Sequence, residues 1–315
     1  MTKNKIYILM TCSALFWAGA FIAGKYTVPY IATFTLTFLR FFYATIILYF
    51  IMKRTGVEFR LEKSRLPVYL FTGSVGMFGY HVLFFTALKY TTAINSSIIA
   101  ATNPMVTTLL AFVFLRTGLG RKQIFGVLLS FAGVVLTITG ADFDVLKQFE
   151  FNVGDLWMLA AVAAWAAYGV FSKSKGKDIP PIVLTFYSFL VCTILLVPFV
   201  LWERPWEFLP GVPGSAHLAV LYMSVFPSVI GYLVQQLAIK EIGPARASIF
   251  VNLVPVFSIL LAVLILSEAL EPIKLLTAAL IIAGVIICQE AGRKPPEPAG
   301  KALLENQTCN EEAKG

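Results

Sequence analysis

The sequence predicts an all-α polytopic membrane protein: ten transmembrane helices built as two inverted five-helix repeats, with both termini in the cytoplasm. Three observations carry this. The 315 residues are 58% hydrophobic and only 13% charged, with a mean hydropathy of +0.80, more apolar side chain than a soluble domain of that length can bury. Apolar runs of about 20 residues, the length that crosses a ~30 Å hydrocarbon core, recur along the chain. The first half of the chain also reappears in the second.

The runs cover residues 6–24, 33–52, 68–88, 93–115, 123–140, 156–172, 182–202, 218–239, 246–266 and 274–289. The first follows Lys3 and Lys5 in the manner of a secretory leader. It is too long for one, shows no small-residue cleavage site and is followed by nine more runs, so it reads as the first helix. The connections are short and leave no room for a soluble domain, so the working parts belong inside the bundle. Residues 291–315 turn polar and Pro-rich and read as a disordered cytoplasmic tail.

Orientation follows from the basic residues. With a cytoplasmic N-terminus, 19 of the 25 Lys and Arg fall on the cytoplasmic side, and Lys25, Lys89, Lys147, Arg204 and Lys274 fall on the other. That is the positive-inside bias of a multi-pass plasma-membrane protein. It also accounts for most of the net charge of +8, so the lipid bilayer is the expected partner and nucleic acid is not. Cys12, Cys192, Cys288 and Cys309 have no paired spacing, which implies neither a disulfide framework nor a metal site, and no cofactor is called for.

At an offset of 148, Trp17, Lys25, Leu36, Thr37, Phe38, Phe41 and Thr45 fall on Trp165, Lys173, Leu184, Thr185, Phe186, Phe189 and Thr193. Three extra residues shift the offset to 151, which places Ala87, Lys89, Ser97, Pro104, Leu109 and Gly133 on Ala238, Lys240, Ser248, Pro255, Leu260 and Gly284. The repeats therefore occupy residues 1–145 and 146–290. Five spans each, an odd number, insert the second copy upside down relative to the first. Two such halves can exchange inward-open and outward-open states around a midplane site, which is the design of a carrier.

The segments ALFWAGAFIAGK (14–25), Arg40-Phe41, TTAINSSIIAATNPMVTTLLAFVFL (91–115) and GPARASIFVNLVPVFSILLAVLILSEALEPIKLLTAALIIAGVII (243–287) resemble the EamA-type repeats of the drug/metabolite transporter superfamily. The resemblance covers residues 5–290. It implies a ten-helix inverted-repeat carrier whose central cavity is lined by the first four helices of each half, the fifth lying at the periphery. It further implies a small-metabolite cargo, often exported, with amino acids and their relatives common. The chain departs from the pattern at Leu115, Arg116 and Thr117, where the first repeat usually has a Leu-Gly-Glu turn, while Glu268 keeps the acid in the second.

Arg40 is the outstanding site candidate. It lies eight residues into an apolar span, where a cation costs a few kcal/mol and therefore faces a protein interior or a watery cavity, or snorkels to a headgroup. Its symmetry mate is Ser188, so one half alone supplies a buried charge. The guanidinium fork suits a carboxylate or phosphate, which selects a cargo with an anionic or zwitterionic head. Trp17 and Trp165, equivalent in the two halves, with Tyr80 and Tyr168 are candidate apolar walls with polar tips. His81, Asn103, Gln235 and Asn252, with Asn95, Ser96, Ser97, Tyr187 and Gln236, complete a short polar inventory that serves either a cavity or helix contacts. Pro104 and Pro255 interrupt spans four and nine at matching points and are candidate kinks, gating or static. Gly126 with Ser130, and Ala279 with Ala283, are small-residue pairs for close packing of helices 5 and 10, within a monomer or across a homodimer.

The preferred reading is a secondary transporter acting as exporter, facilitator or exchanger. A proton-coupled carrier using His81, the one central residue type whose unperturbed pKa lies near neutral pH, and a substrate-selective channel are the alternatives. An enzyme is disfavoured: His81 and His217 are the only histidines, no metal spacing or phosphate loop occurs, and an intramembrane hydrolase would need His81 beside a serine such as Ser96 or Ser224.

Overall fold

The computed structural model describes residues 3–59, 61–115, 120–140, 142, 151–176, 178–242 and 250–291. The tail expected over 291–315 lies outside them apart from Ala291, which closes the last helix, and so does the turn around Arg116 and Thr117. Among the described residues there is helix and no strand, as hydrocarbon demands, because a helix satisfies every backbone group within itself.

In chain order the helices are α1 (Lys3–Thr27), α2 (Thr33–Thr55), α3 (Lys63–Tyr90), α4 (Ala93–Ala100 with Asn103–Leu115), α5 (Arg121–Thr139), α6 (Val153–Lys175), α7 (Pro181–Glu203), α8 (Gly214–Met223 continuing to Ile242), α9 (Leu253–Leu266) and α10 (Pro272–Ala291). Nine are long and apolar enough to cross a membrane; α9 is shorter, residues 246–249 of its expected span being outside the described set. Local chemistry sets the ends. Gly56 and Gly140 take left-handed conformations with φ of +68° and +61° and donate back to Met52 and Leu136, closing α2 and α5. Proline opens α7, where a missing N–H costs nothing.

The helices pair in a regular way. α1 packs on α8 and α9, and α6 packs on α3 and α4; α2 crosses α7 and α8, and α7 crosses α2 and α3; α4 meets α9, and α5 meets α10. The interior is filled by Leu36, Phe41, Phe85, Phe189 and other large apolar side chains, while Phe114, Leu264 and Trp202 point outward to lipid.

Four helices are irregular, and the irregularities match. α3 contains an eight-residue π-helical stretch, Thr72–Gly79, and α8 another, Ser224–Gly231, each followed at once by a tyrosine, Tyr80 and Tyr232. α4 breaks in a turn at Ala101 and Thr102, and Pro104 sits second in the helix that resumes. α9 resumes after a turn at Asn252, with Pro255 third. Both prolines thus stand in a first helical turn, where no intrahelical donor is lost.

α5 and α10 form a close pair. A Cβ on Gly126 would run into the Gly284 carbonyl and the Cys288 amide, and Ser130 donates to the Ile281 carbonyl at 3.2 Å. Gly126 and Ser130 are therefore spent on packing within the chain, while Ala279 and Ala283 face outward. Gly126→Val forces the pair apart, and we expect it to lower stability by about 1–3 kcal/mol, read as a fall in the apparent unfolding midpoint of the detergent-purified protein; Ala279→Val leaves that midpoint unchanged.

Candidate functional site

α2 carries Arg40 into the centre of the bundle, where it is 4% exposed. Its Nε donates to the Ser228 hydroxyl at 2.9 Å, and that hydroxyl donates in turn to the Met223 carbonyl at 2.8 Å. The guanidinium carbon lies 5.6 Å from the Phe41 ring centroid and 5.9 Å from that of Phe85, within cation–π range. Tyr80, Tyr222, Tyr232 and Cys192 are its electrostatic neighbours. Among the described residues no carboxylate pairs with it.

The π-helical stretches make this arrangement. A π turn admits an extra residue, widens the helix and releases carbonyls from the regular ladder. In α8 the Ser228 hydroxyl reaches back five residues to Met223, and the Pro227 carbonyl accepts the indole N–H of Trp17 at 3.1 Å. In α3 the His81 ring puts Nδ1 2.9 Å from the Met77 carbonyl. A carbonyl only accepts, so this nitrogen carries the proton.

Aromatic rings pack around the guanidinium. His81 meets Phe41 and Tyr80 edge to face, each at 4.6 Å between centroids. Trp165 touches Tyr80 at 4.8 Å, Tyr168 at 4.9 Å and Tyr232 at 6.0 Å, and Phe189 stands 4.7 Å from Phe41. Beside this cluster, an apolar cavity of about 550 Å³, open to the outer surface of the bundle, lies between α1, α8 and α9, lined by Gly19, Ala23, Leu218, Tyr222 and Leu261. Tyr222 stands between that cavity and Arg40, its hydroxyl donating to the Phe16 carbonyl at 3.2 Å.

Of the residues singled out in the sequence, Arg40, Trp17, Tyr80, His81, Trp165 and Tyr168 thus come together. The others stand apart. Ser188 bonds the Leu184 carbonyl at 2.6 Å and the Thr72 hydroxyl at 2.7 Å, a contact between α7 and α3. Asn103 accepts from Thr107 at 2.9 Å beside the α4 break. Asn252 caps α9 without a side-chain bond, and Gln235 is partly buried on α8 one turn past Tyr232. Ser228, Tyr222 and Tyr232 are site residues that the sequence reading passed over; the Pro227–Gly231 spacing in an apolar span was the signal for an irregular helix there.

A model of the EamA-like transporter family matches residues 4–139 and 152–288. The chain is 31% identical to the uncharacterized transporter YyaM of Bacillus subtilis, over 94% of this chain and 97% of that one. It is 30% identical to an uncharacterized transporter of Archaeoglobus fulgidus, over 90% and 97%, and 24% identical to the uncharacterized inner membrane transporter YhbE of Escherichia coli, over 80% and 78%. One solved crystal structure shares the fold, with a TM-score of 0.66 at 21% identity over 93% of this chain and 100% of that chain.

Ser228→Ala leaves the guanidinium without its hydroxyl partner. Hydrogen bonds to charged groups contribute about 1.5–3 kcal/mol, so the apparent unfolding midpoint is expected to fall, and Ser228→Thr, which keeps the hydroxyl, should restore most of the loss.

Proposed function

The chain belongs to the EamA-like transporter family, and on that premise we propose that it carries small metabolites with an anionic or zwitterionic head, amino acids or their relatives, by alternating access around Arg40. Membrane transport itself follows from the family, from relatives named as transporters, and from nine apolar helices that place the protein in the plasma membrane as a multi-pass protein.

One observation carries the finer reading. Arg40 is buried at the meeting of the two halves with a neutral hydroxyl as its hydrogen-bond partner. A buried guanidinium with an internal carboxylate is a closed pair; without one it keeps positive potential and donors free for a ligand. The surrounding Trp and Tyr rings suit an amphiphilic body behind an acidic head.

Alternating access is supported by the packing. Exchanging α1 with α6, α2 with α7, α3 with α8, α4 with α9 and α5 with α10 maps the helix pairings described above onto one another: α1 on α8 and α9 becomes α6 on α3 and α4, α2 on α7 and α8 becomes α7 on α2 and α3, and the α4–α9 and α5–α10 pairs map onto themselves. That is the relation expected of two inverted halves with equivalent inward- and outward-facing arrangements. The breaks in α4 and α9 and the π stretches in α3 and α8 respect the same exchange and supply four matched positions where helices can bend.

The test is a proteoliposome uptake and counterflow screen over amino acids, amines and organic acids, with and without a pH gradient. Carboxylate-bearing cargo should be exchanged and should accelerate flux from the far side. Arg40→Gln is expected to cut that transport roughly 10–100-fold, the value of a charge-assisted pair, and Arg40→Lys to recover part of it. A folded Arg40→Ala protein with normal carboxylate transport overturns the assignment.

A further inference from the structure

A dense set of polar contacts between helices lies away from Arg40, at the end of the bundle where α1, α3, α7 and α9 finish and α2, α4 and α6 begin. Two carboxylates sit there on helix N-termini. Glu203, the last residue of α7, accepts from the amides of Phe34 at 3.0 Å and Thr35 at 2.7 Å, and from the Thr35 hydroxyl at 2.7 Å. Glu268, just beyond α9, accepts from the amides of Ala93 at 2.8 Å and Ile94 at 3.0 Å. Each answers two orphan donors of a first helical turn and the positive end of its dipole.

Between the two, the turn that joins α3 to α4 is held from two more helices. Lys25 of α1 donates to the carbonyls of Leu88 at 2.8 Å and Thr91 at 2.7 Å. The Thr91 hydroxyl donates to Asp155 of α6 at 2.6 Å. Gly154 lets α6 come this close, since a Cβ there would collide with the Thr91 backbone.

At the opposite end residues 116–119 and 243–249, which the repeat sets against these turns, lie outside the described residues; among the described residues Arg65 of α3 donates to the carbonyl of Asp178, in the α6–α7 connection, at 3.3 Å. The sequence repeat itself lacks the matching acids: at the offsets of 148 and 151, Glu203 falls on Thr55, Glu268 on Thr117 and Asp155 on Tyr7, and only Lys25 keeps its chemistry, as Lys173. Three acids in one half have lost or never had counterparts in the other.

We propose that Glu203, Glu268, Asp155 and Lys25 form a latch that closes the outer gate of the carrier, and that the three acids, having no acidic mates in the repeat, give this gate a closure the other does not copy. The latch rests on the carrier reading and on the orientation given by the basic residues. Reaching Arg40 from outside requires Glu203 to leave α2 and Glu268 to leave α4, so the latch holds the outer side shut and cargo meets the site first from the cytoplasm.

The test needs no cargo, so its failure is distinct from failure of the Arg40 assignment. In the full-length chain with Cys12, Cys192, Cys288 and Cys309 replaced by alanine, Ala20→Cys supplies one reporter thiol, buried on α1 below Lys25. A membrane-impermeant maleimide applied to whole cells reads access from outside, and the same reagent on inverted vesicles reads access from inside. Glu203→Gln with Glu268→Gln should speed outside labelling about tenfold or more, as loss of two charge-assisted clamps implies. Glu271→Gln, an exposed acid outside the latch, should change nothing. Should the double variant not elute as a monodisperse peak, the two single variants are read in its place. Unchanged outside labelling with full labelling in detergent, an equal effect of Glu271→Gln, or acceleration from the inner face alone overturns the proposal.

Discussion

A guanidinium enclosed in an apolar bundle, with no carboxylate paired to it among the described residues, is the constraint around which the core is arranged. Desolvating a cation is expensive, and a chain that places one at mid-span must recover much of the cost locally. Here the recovery comes from pieces that are individually weak: one hydroxyl bond to Ser228, two ring faces from Phe41 and Phe85, and the hydroxyl-bearing rings of Tyr80, Tyr222 and Tyr232. None of these neutralises the charge. The stabilisation is enough to hold the side chain in place and leaves the positive potential available.

Placing those pieces requires backbone that is not ideal helix. In a regular α8, Ser228 and the Pro227 carbonyl would point in directions set by the 3.6-residue repeat; in the π stretch Ser228 bonds five residues back and Pro227 offers a free carbonyl to Trp17. The cost of poorer hydrogen-bond geometry in α8 is offset by bonds across the two halves. The π stretches also resolve the register of the repeat. Helix bounds match at 148 for α2 and α7, the π stretches match at 152, and α4 and α9 end in step at 151. Tyr80 and Tyr232 are therefore mates that an alignment at 151 sets one residue apart.

This register explains what could and could not be read from the chain. The ten runs, the tryptophan mates and the proline positions were legible because they depend on composition and spacing alone. Tyr232 and Ser228 were not, since their place depends on a local change of helix type in α8. Ser188 shows the opposite failure: symmetry made it the partner of Arg40 in sequence, but the side chain of a small residue turns to the nearest acceptor, and Thr72 and Leu184 supply it. Glu268 was visible as the acid one repeat keeps and the other lacks, yet its contact with the start of α4 spans 175 positions of sequence and follows from no local pattern.

Two identical inverted halves would make the inward- and outward-facing arrangements mirror one another in energy, and the carrier would have no preferred side. The chain departs from identity at two levels, and they act on different steps. At the centre, Arg40 has the uncharged Ser188 as its sequence mate, so in the proposed carrier a cargo would be held by a single fork in either arrangement and need not be handed from one half to the other. At one end, Glu203 and Glu268 clamp the N-termini of α2 and α4, and as the proposed latch they would shift the balance between the two arrangements without touching the site. In that reading affinity and resting orientation are set by separate residues, and sequence change at a helix end would alter which side the empty protein faces while the chemistry of recognition stays where it is.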